Sequence, residues 1–223
     1  RGLHSECQFG FRRGGSTIAA LSRLVDKASS VVSEGKLAVI ISFDIKSAFD
    51  NCWWPNIVKA LHVRNCPIAL IDITRSFLSE RTVESCFGGH SVKLPLSGGC
   101  PQGCVISPEL WNISLDALLA ALEASNCSWR IVSAFADDMS LLLWADDIPT
   151  LLSRIRETLD FIIKWLADIG LSVNISKCSI LPIYGTNLGT STVYSVASDN
   201  IPIVDTVKIL GLTIDRNFNF AQH

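Results

Sequence analysis

A chain of 223 residues, 48% apolar and 18% charged with a mean hydropathy of +0.35, can bury a core without disulfide or metal staples and is too apolar to be disordered. Its richest apolar runs are strand-sized and fall short of the roughly 18 residues a membrane-spanning helix needs, so such a span is excluded. Nineteen Lys and Arg against 21 Asp and Glu leave a net charge of −2, which counts against a free-standing nucleic-acid binder, since those are usually basic.

Ile18, Leu21, Val25, Ala28 and Val32 recur at helical spacing with Gly35 behind them, so residues 16–34 read as an amphipathic helix. Leu37–Phe43 is a continuous apolar run rich in Val and Ile, which suits a buried strand. Helices are expected over 55–63 and 67–78. Two short strands follow, 82–87 and 91–96, joined through the hairpin dipeptide Gly88-Gly89. Residues 97–103 form a Gly/Pro loop, and the next helix has Ser107 at its cap, Pro108 in its first turn and apolar positions through Leu122. Residues 130–136 and 139–145 are apolar strands separated only by Asp137-Asp138. A clear helical face from Leu151 to Leu166 is closed by Gly170. From Leu171 onward short strands alternate with turns. The elements lack a regular strand–helix–strand rhythm, which points to an α+β fold.

The eight cysteines are scattered, and the four histidines are not spaced to complete a zinc site; buried free thiols in a reducing compartment are expected. Asn112, Asn126 and Asn174 open Asn-x-Ser sequons, which matter only in a secreted chain. The chain begins at Arg1 with no signal-peptide pattern, and it reads as a piece of something longer, its high hydropathy reflecting contacts left behind.

Three features carry chemistry. Asp44 ends the strand 37–43, where an acid at the edge of the core is half desolvated and placed to bind a divalent cation; an Asp there also serves as a helix cap. Asp137-Asp138 sits where a tight hairpin would carry Asn-Gly or Asp-Gly. Adjacent carboxylates repel each other at such a turn, and a cation between them removes the repulsion; a broken local rule of this kind marks functional sites. Asp146-Asp147, by contrast, stands at a helix start and reads as structural. The third feature is the loop Gly98-Gly99-Cys100-Pro101-Gln102-Gly103, which has the glycines of a phosphate loop but Cys104-Val105 in place of the required Lys and Ser/Thr.

In this order, a strand-end Asp, a Pro-Gln-Gly loop with its helix and an Asp-Asp hairpin, the chain resembles the reverse transcriptases of non-LTR (LINE-type) retrotransposons. Further segments extend the resemblance from about residue 6 to 215: Gln8-Phe9-Gly10-Phe11-Arg12 with Ser16-Thr17, the linker-like Ser76 to Arg81, Gly170-Leu171-Ser172 through Lys177, and Lys208-Ile209-Leu210-Gly211. The resemblance implies a right-hand polymerase palm, an antiparallel sheet backed by helices with part of the fingers. It divides the chain into a fingers-side segment (1–36), the palm (37–215) and the start of a connection to a thumb (216–223).

It also implies roles. Asp44, Asp137 and Asp138, with the Ile45 carbonyl, would hold two Mg²⁺ ions, or Mn²⁺, for transfer of dNTPs onto a primer 3′-hydroxyl. Phe49 matches the aromatic gate that excludes a ribose 2′-hydroxyl. Pro101, Gln102 and Gly103 match the loop at the incoming nucleotide, Leu210 and Gly211 the primer grip, and Lys177 a general acid for pyrophosphate. The implied partners are an RNA template, a DNA primer or target site, dNTPs, and fingers and thumb segments of the same polypeptide. The implied location is nucleus and cytoplasm. Phe135 replaces a more usual Tyr, and Trp111 a more usual Phe. Two alternatives stand beside this reading: an RNA-dependent RNA polymerase palm, which Ala136 and Phe49 argue against, and a decayed copy kept as a contact surface, which the three intact acids argue against. The first 27 residues carry five Lys and Arg against Glu6 and Asp26, a basic remnant that leads us to expect weak, salt-sensitive nucleic-acid binding.

Overall fold

The computed structural model describes residues 4–124, 127–189, 194–196 and 199–219. The sequon at Asn126, the charge at Arg1 and residues 220–223 lie outside them.

Helix α1 (Thr17–Ser33) begins where Ser16 Oγ accepts the Ala19 N–H at 3.0 Å, and it buries Ala20, Leu24, Ala28 and Val31. Strand β1 (Leu37–Phe43) coincides with the apolar run. Helices α2 (Trp54–Val63) and α3 (Ile68–Leu78) follow, then the hairpin β2 (Thr82–Phe87) and β3 (His90–Pro95). Both residues of its Gly88-Gly89 turn have positive φ, as the dipeptide predicts. Helix α4 (Ser107–Ala124) leads to β4 (Arg130–Phe135), β5 (Asp138–Ala145) and the long α5 (Ile148–Asp168). A 3₁₀ turn (Ile175–Lys177) precedes β6 (Ser179–Ile183). The short pairs β7 (Ser195–Val196) with β8 (Asp199–Asn200), and β9 (Thr206–Ile209) with β10 (Leu212–Asp215), complete the described chain.

The central sheet has the order β4-β5-β1-β6 and is antiparallel throughout. Successive side chains alternate between its faces, and both faces are covered. Val39, Ile41 and Phe43 with Met139, Leu141 and Leu143 join the core built with α2 to α5. Ala38, Ile40, Leu142, Leu181 and Ile183 join a second core with α1 and the β9–β10 hairpin. A strand packed on both sides has no polar alternation, which is why β1 reads as one uninterrupted run.

Two expectations are corrected. The turn between β4 and β5 consists of Ala136 and Asp137, not of the two acids: Phe135 pairs with Asp138, which opens β5. The turn comes one residue early because the Ala136 peptide is gripped by buried side chains from elsewhere in the fold. Of the eight free cysteines, Cys7, Cys52, Cys100 and Cys178 are buried, but Cys66, Cys104 and Cys127 are half-buried and Cys86 is exposed. Cys86 lies on β2, whose residues, like those of β3, are all exposed.

Candidate active site

The register of the central sheet builds the site. Phe43 faces Met139 across the β1–β5 ladder, and one further step sets Asp44 opposite Asp138. On the other side of β1 the ladder to β6 ends at Ser42 and Ser179, and the 3₁₀ turn before β6 brings Lys177 Nζ to 3.9 Å from Asp44 Oδ2. Asp138 and Asp44 therefore face each other at the end of the sheet, with Lys177 against Asp44 and Asp137 beside them in the turn. The row two residues inward is Ser133, Ser140, Ser42 and Ser179, one serine from each strand. The face that α1 covers with apolar contacts thus turns polar and then acidic towards this end.

Asp44 is held from beneath. Its N–H donates to Cys178 Sγ at 3.5 Å, and its carbonyl accepts the Asn174 N–H at 2.9 Å. Lys46 N–H donates to the Ser172 carbonyl at 2.8 Å, so Ile45 and Val173 are bridged through their neighbours' peptides. The Ile45 side chain is buried while the adjacent Asp44 carboxylate reaches the surface, its Oδ2 lying 3.9 Å from Lys177 Nζ. Lys177 is itself exposed, at the end of the 3₁₀ turn.

The carboxylates are electrostatically coupled. Burial first, then the charges of Asp137 and Asp44, push the Asp138 carboxyl above its ordinary range, with Lys177 pulling the other way. A cation among the acids would reverse the repulsive part of that shift. Burial also pushes the Cys178 thiol up to about 11, and its sulfur is taken up by the backbone, accepting the Asp44 N–H and donating to the Asn174 carbonyl at 3.4 Å. The donor set is therefore oxygen, which suits Mg²⁺ or Mn²⁺. Among the described residues no three His, Cys, Asp or Glu side chains are grouped so as to hold an ion by themselves. Mg²⁺ asks for less, since it keeps waters and substrate phosphates as ligands and takes one or two carboxylates from the protein.

Phe49 and the Pro-Gln-Gly loop are joined to each other. The Phe49 carbonyl accepts the Cys100 N–H at 2.7 Å, and the Cys52 carbonyl accepts the Gly99 N–H at 2.8 Å. Gly99 has φ +92°, and a Cβ there would stand 2.9 Å from the Asp50 carbonyl oxygen, so no other residue lets the two segments meet as they do. The Phe49 ring stacks on buried Trp111 at 5.4 Å between centroids and meets Phe11 edge-on at 6.3 Å. Pro101 is half-buried, whereas Gln102 and Gly103 are exposed in the turn before α4.

The structure thus brings Asp44, Ile45, Asp137, Asp138 and Lys177 to one sheet end and ties Phe49 to the loop bearing Pro101, Gln102 and Gly103. Leu210 and Gly211 are carried by a separate element, as the two positive-φ residues of the β9–β10 turn. Sequence reading passed over Trp111's indole N–H, which donates to the Ala136 carbonyl at 3.1 Å, and the buried carboxamide of Gln8 on the same peptide. It also passed over the serine row. That signal was legible as Ser42-Phe43-Asp44 mirrored by Asp138-Met139-Ser140, a period-two polar pattern at a strand end.

Comparison with known proteins places this geometry in context. Residues 3–214 match the family model described as reverse transcriptase (RNA-dependent DNA polymerase). A putative 115 kDa protein of the type-1 retrotransposable element R1DM of Drosophila melanogaster is 29% identical over 216 residues, covering 97% of this chain and 20% of its own length. The RNA-directed DNA polymerase from the mobile element jockey of the same fly is 28% identical over 219 residues, with 97% of this chain and 24% of that protein covered. The chain therefore spans a fifth to a quarter of the length of these curated relatives. Among solved structures, telomerase of Candida albicans, in complex with a fragment of telomeric RNA, superposes with a TM-score of 0.67 at 14% identity over 95% of this chain and 35% of that one. Apo telomerase of Candida tropicalis truncated of its C-terminal domain gives 0.63 at 12% identity, with 94% of this chain and 39% of that one covered. At these identities the structures speak to the shared fold alone.

Proposed function

The chain belongs to the reverse transcriptase family, and we propose that it is the catalytic palm of a non-LTR retrotransposon's RNA-directed DNA polymerase, extending a DNA primer on an RNA template. The observation that carries this reading is the meeting of Asp138 and Asp44 at the end of the sheet, with Asp137 in the adjoining turn and Lys177 3.9 Å from Asp44.

Asp44 and Asp137, with Asp138 adjacent and the Ile45 carbonyl, would hold Mg²⁺. Divalent ions bound there would activate the primer 3′-hydroxyl and stabilise charge on the α-phosphate and the departing pyrophosphate. The remaining work falls to the protein. Lys177, exposed and next to Asp44, is placed to meet negative charge at this end of the sheet and to give a proton to the leaving group. The Phe49 ring, wedged between Phe11 and Trp111, is held as a fixed wall for the sugar of the incoming nucleotide. Gln102, on a loop pinned to Phe49 through Cys100, would touch that nucleotide and its template base. The β9–β10 turn at Leu210-Gly211 would steady the primer. In this scheme residues 1–36 belong to the fingers side and 37–215 to the palm, with the protein working in the nucleus after synthesis in the cytoplasm.

The test is dTTP incorporation on poly(rA)·oligo(dT) with Mg²⁺ by the complete polypeptide its gene encodes. We expect incorporation by the natural sequence and none by Asp137→Ala/Asp138→Ala. Phe49→Ala should retain incorporation and admit ribonucleotides. A folded natural protein that incorporates nothing would instead support the decayed-copy reading.

A further inference from the structure

The turn that presents Asp137 and Asp138 is strained, and the strain has a visible restraint. Ala136, the first of its two residues, has φ +59°, while Asp137 is not in the left-handed region. A two-residue hairpin turn of this form favours Gly at its first position, and an Ala there is disfavoured by its Cβ. Ala136 is nonetheless buried, and its peptide groups are gripped by two side chains distant in sequence. Gln8 Oε1 accepts the Ala136 N–H at 3.1 Å and the Gly10 N–H at 2.8 Å, and Gln8 Nε2 donates to the Ala136 carbonyl at 3.2 Å. Trp111 Nε1 donates to the same carbonyl at 3.1 Å. Gln8 is 1% exposed and Trp111 is fully buried.

The backbone brings Gln8 to this point. Residues 7–9 run parallel to the end of β4, with Phe9 N–H donating to the Ala134 carbonyl and Ala134 N–H to the Cys7 carbonyl, both at 2.8 Å. Gly10 then passes so close to the turn that a Cβ on it would stand 2.2 Å from Ala136 N, and Asn112 Nδ2 fixes the Gly10 carbonyl at 3.0 Å. Among side chains of this length, only a carboxamide offers an acceptor and a donor together, as a peptide partner would.

We propose that Gln8 is a positioning residue for the carboxylates, clamping both polar groups of Ala136 so that Asp137 and Asp138 stand ready for a divalent cation before one arrives. The inference rests on the reading of Asp44, Asp137 and Asp138 as the cation site. Side chains that orient a metal's ligands commonly change affinity by about 10- to 100-fold when replaced, and Gln8 acts one peptide away from Asp137.

Mn²⁺ is the probe, and binding to the full chain is followed by loss of the free-ion EPR signal. Thermal denaturation and hydrogen exchange at the Ala136 amide are measured in parallel. Gln8→Met keeps the side-chain length and loses both polar partners; we expect about tenfold weaker Mn²⁺ binding and faster exchange at Ala136. Ala136→Gly in the Gln8→Met background should restore most of the affinity, because Gly accepts the positive φ without a clamp. A merely structural Gln8 would lower the melting temperature without that rescue. Gln8→Asn, which keeps a carboxamide but is one methylene too short to hold both Ala136 groups, serves if Gln8→Met does not fold, with the same loss and the same rescue expected. Natural-sequence binding that is lost in Asp137→Ala/Asp138→Ala but unchanged in the folded Gln8 variant overturns the positioning role alone. A natural chain that binds Mn²⁺ no better than the double-Ala variant overturns the cation site, and the positioning role with it.

Discussion

Asp138 is where the proposed function and stability oppose each other at the scale of one residue. It faces Asp44 across the ladder and follows Asp137 in sequence, and directly opposed like charges destabilise a sheet. Burial and these neighbours raise its carboxyl in the folded state. An acid raised by folding binds more protons folded than unfolded, so stability falls as pH rises from the ordinary carboxylate range through the raised value. Above that raised value the whole penalty is present. We therefore expect Asp138→Asn to be more stable than the natural chain in EDTA, by a few tenths of a kcal/mol, since the carboxylate is partly desolvated yet still meets solvent that screens it. Melts in EDTA and in Mn²⁺ check this, and the advantage should shrink once the cation is added. The candidate acids were legible from sequence because Asp44 ends an uninterrupted apolar strand and Asp137-Asp138 stand where a hairpin would carry Asn-Gly or Asp-Gly. Gln8 was not, because its partner Ala136 is far along the chain and only the parallel pairing of residues 7–9 with β4 brings them together.

The elements were legible where burial wrote a period into the chain. Helix α5 carries Leu151, Ile155, Leu159, Ile162 and Leu166 on one buried face, and the structure extends it beyond that face to Ile148–Asp168. Its start was read from Asp146-Asp147, and Asp147 is the cap: its carboxylate accepts the Thr150 N–H at 2.8 Å and the Thr150 hydroxyl at 2.9 Å. The backbone bond first, then the hydroxyl, lowers the Asp147 pKa. A depressed acid stabilises the fold above its unfolded pKa and loses that contribution as pH falls through the folded one. Asp147→Ala should lower the melting temperature at neutral pH, and its difference from the natural chain should vanish in strong acid. Asp147→Asn, which can still accept the amide, should keep the cap and flatten that part of the pH dependence. A difference between natural chain and Asp147→Ala that persisted unchanged into acid would mean that the carboxylate is not what caps the helix. Where tertiary contacts set a boundary, period alone did not give it, and so the β4–β5 turn falls one residue earlier than the apolar runs suggest.

At the scale of the molecule, the two cores explain why so apolar a chain has so little charge to spare. Both faces of the central sheet are covered, one by α2 to α5 and the other by α1 and the β9–β10 hairpin, and this requires apolar residues at successive strand positions. Many of the cations are then engaged within the fold. Lys27 lies over Trp144, Arg130 and Arg154 over Trp129, and Arg64, Arg23 and Arg216 pair with Asp116, Glu123 and Asp205. Affinity for a nucleic-acid backbone comes from cations that replace condensed counterions, and each phosphate neutralised adds roughly 0.7 to 0.9 to the slope of log K against log salt. With a net charge of −2, this chain has few cations to offer and three acids at the end of the sheet that repel phosphate. We expect it to bind an RNA–DNA primer–template only in the non-specific range, roughly micromolar or weaker at about 150 mM salt, with a shallow salt slope. Fluorescence anisotropy across a salt series measures both quantities. Because the acids oppose binding, Mg²⁺ should strengthen it in the natural chain more than in Asp137→Ala/Asp138→Ala, whereas simple screening would treat the two alike. Nanomolar binding at that salt would instead require a surface that engages the duplex without a positive balance of charge.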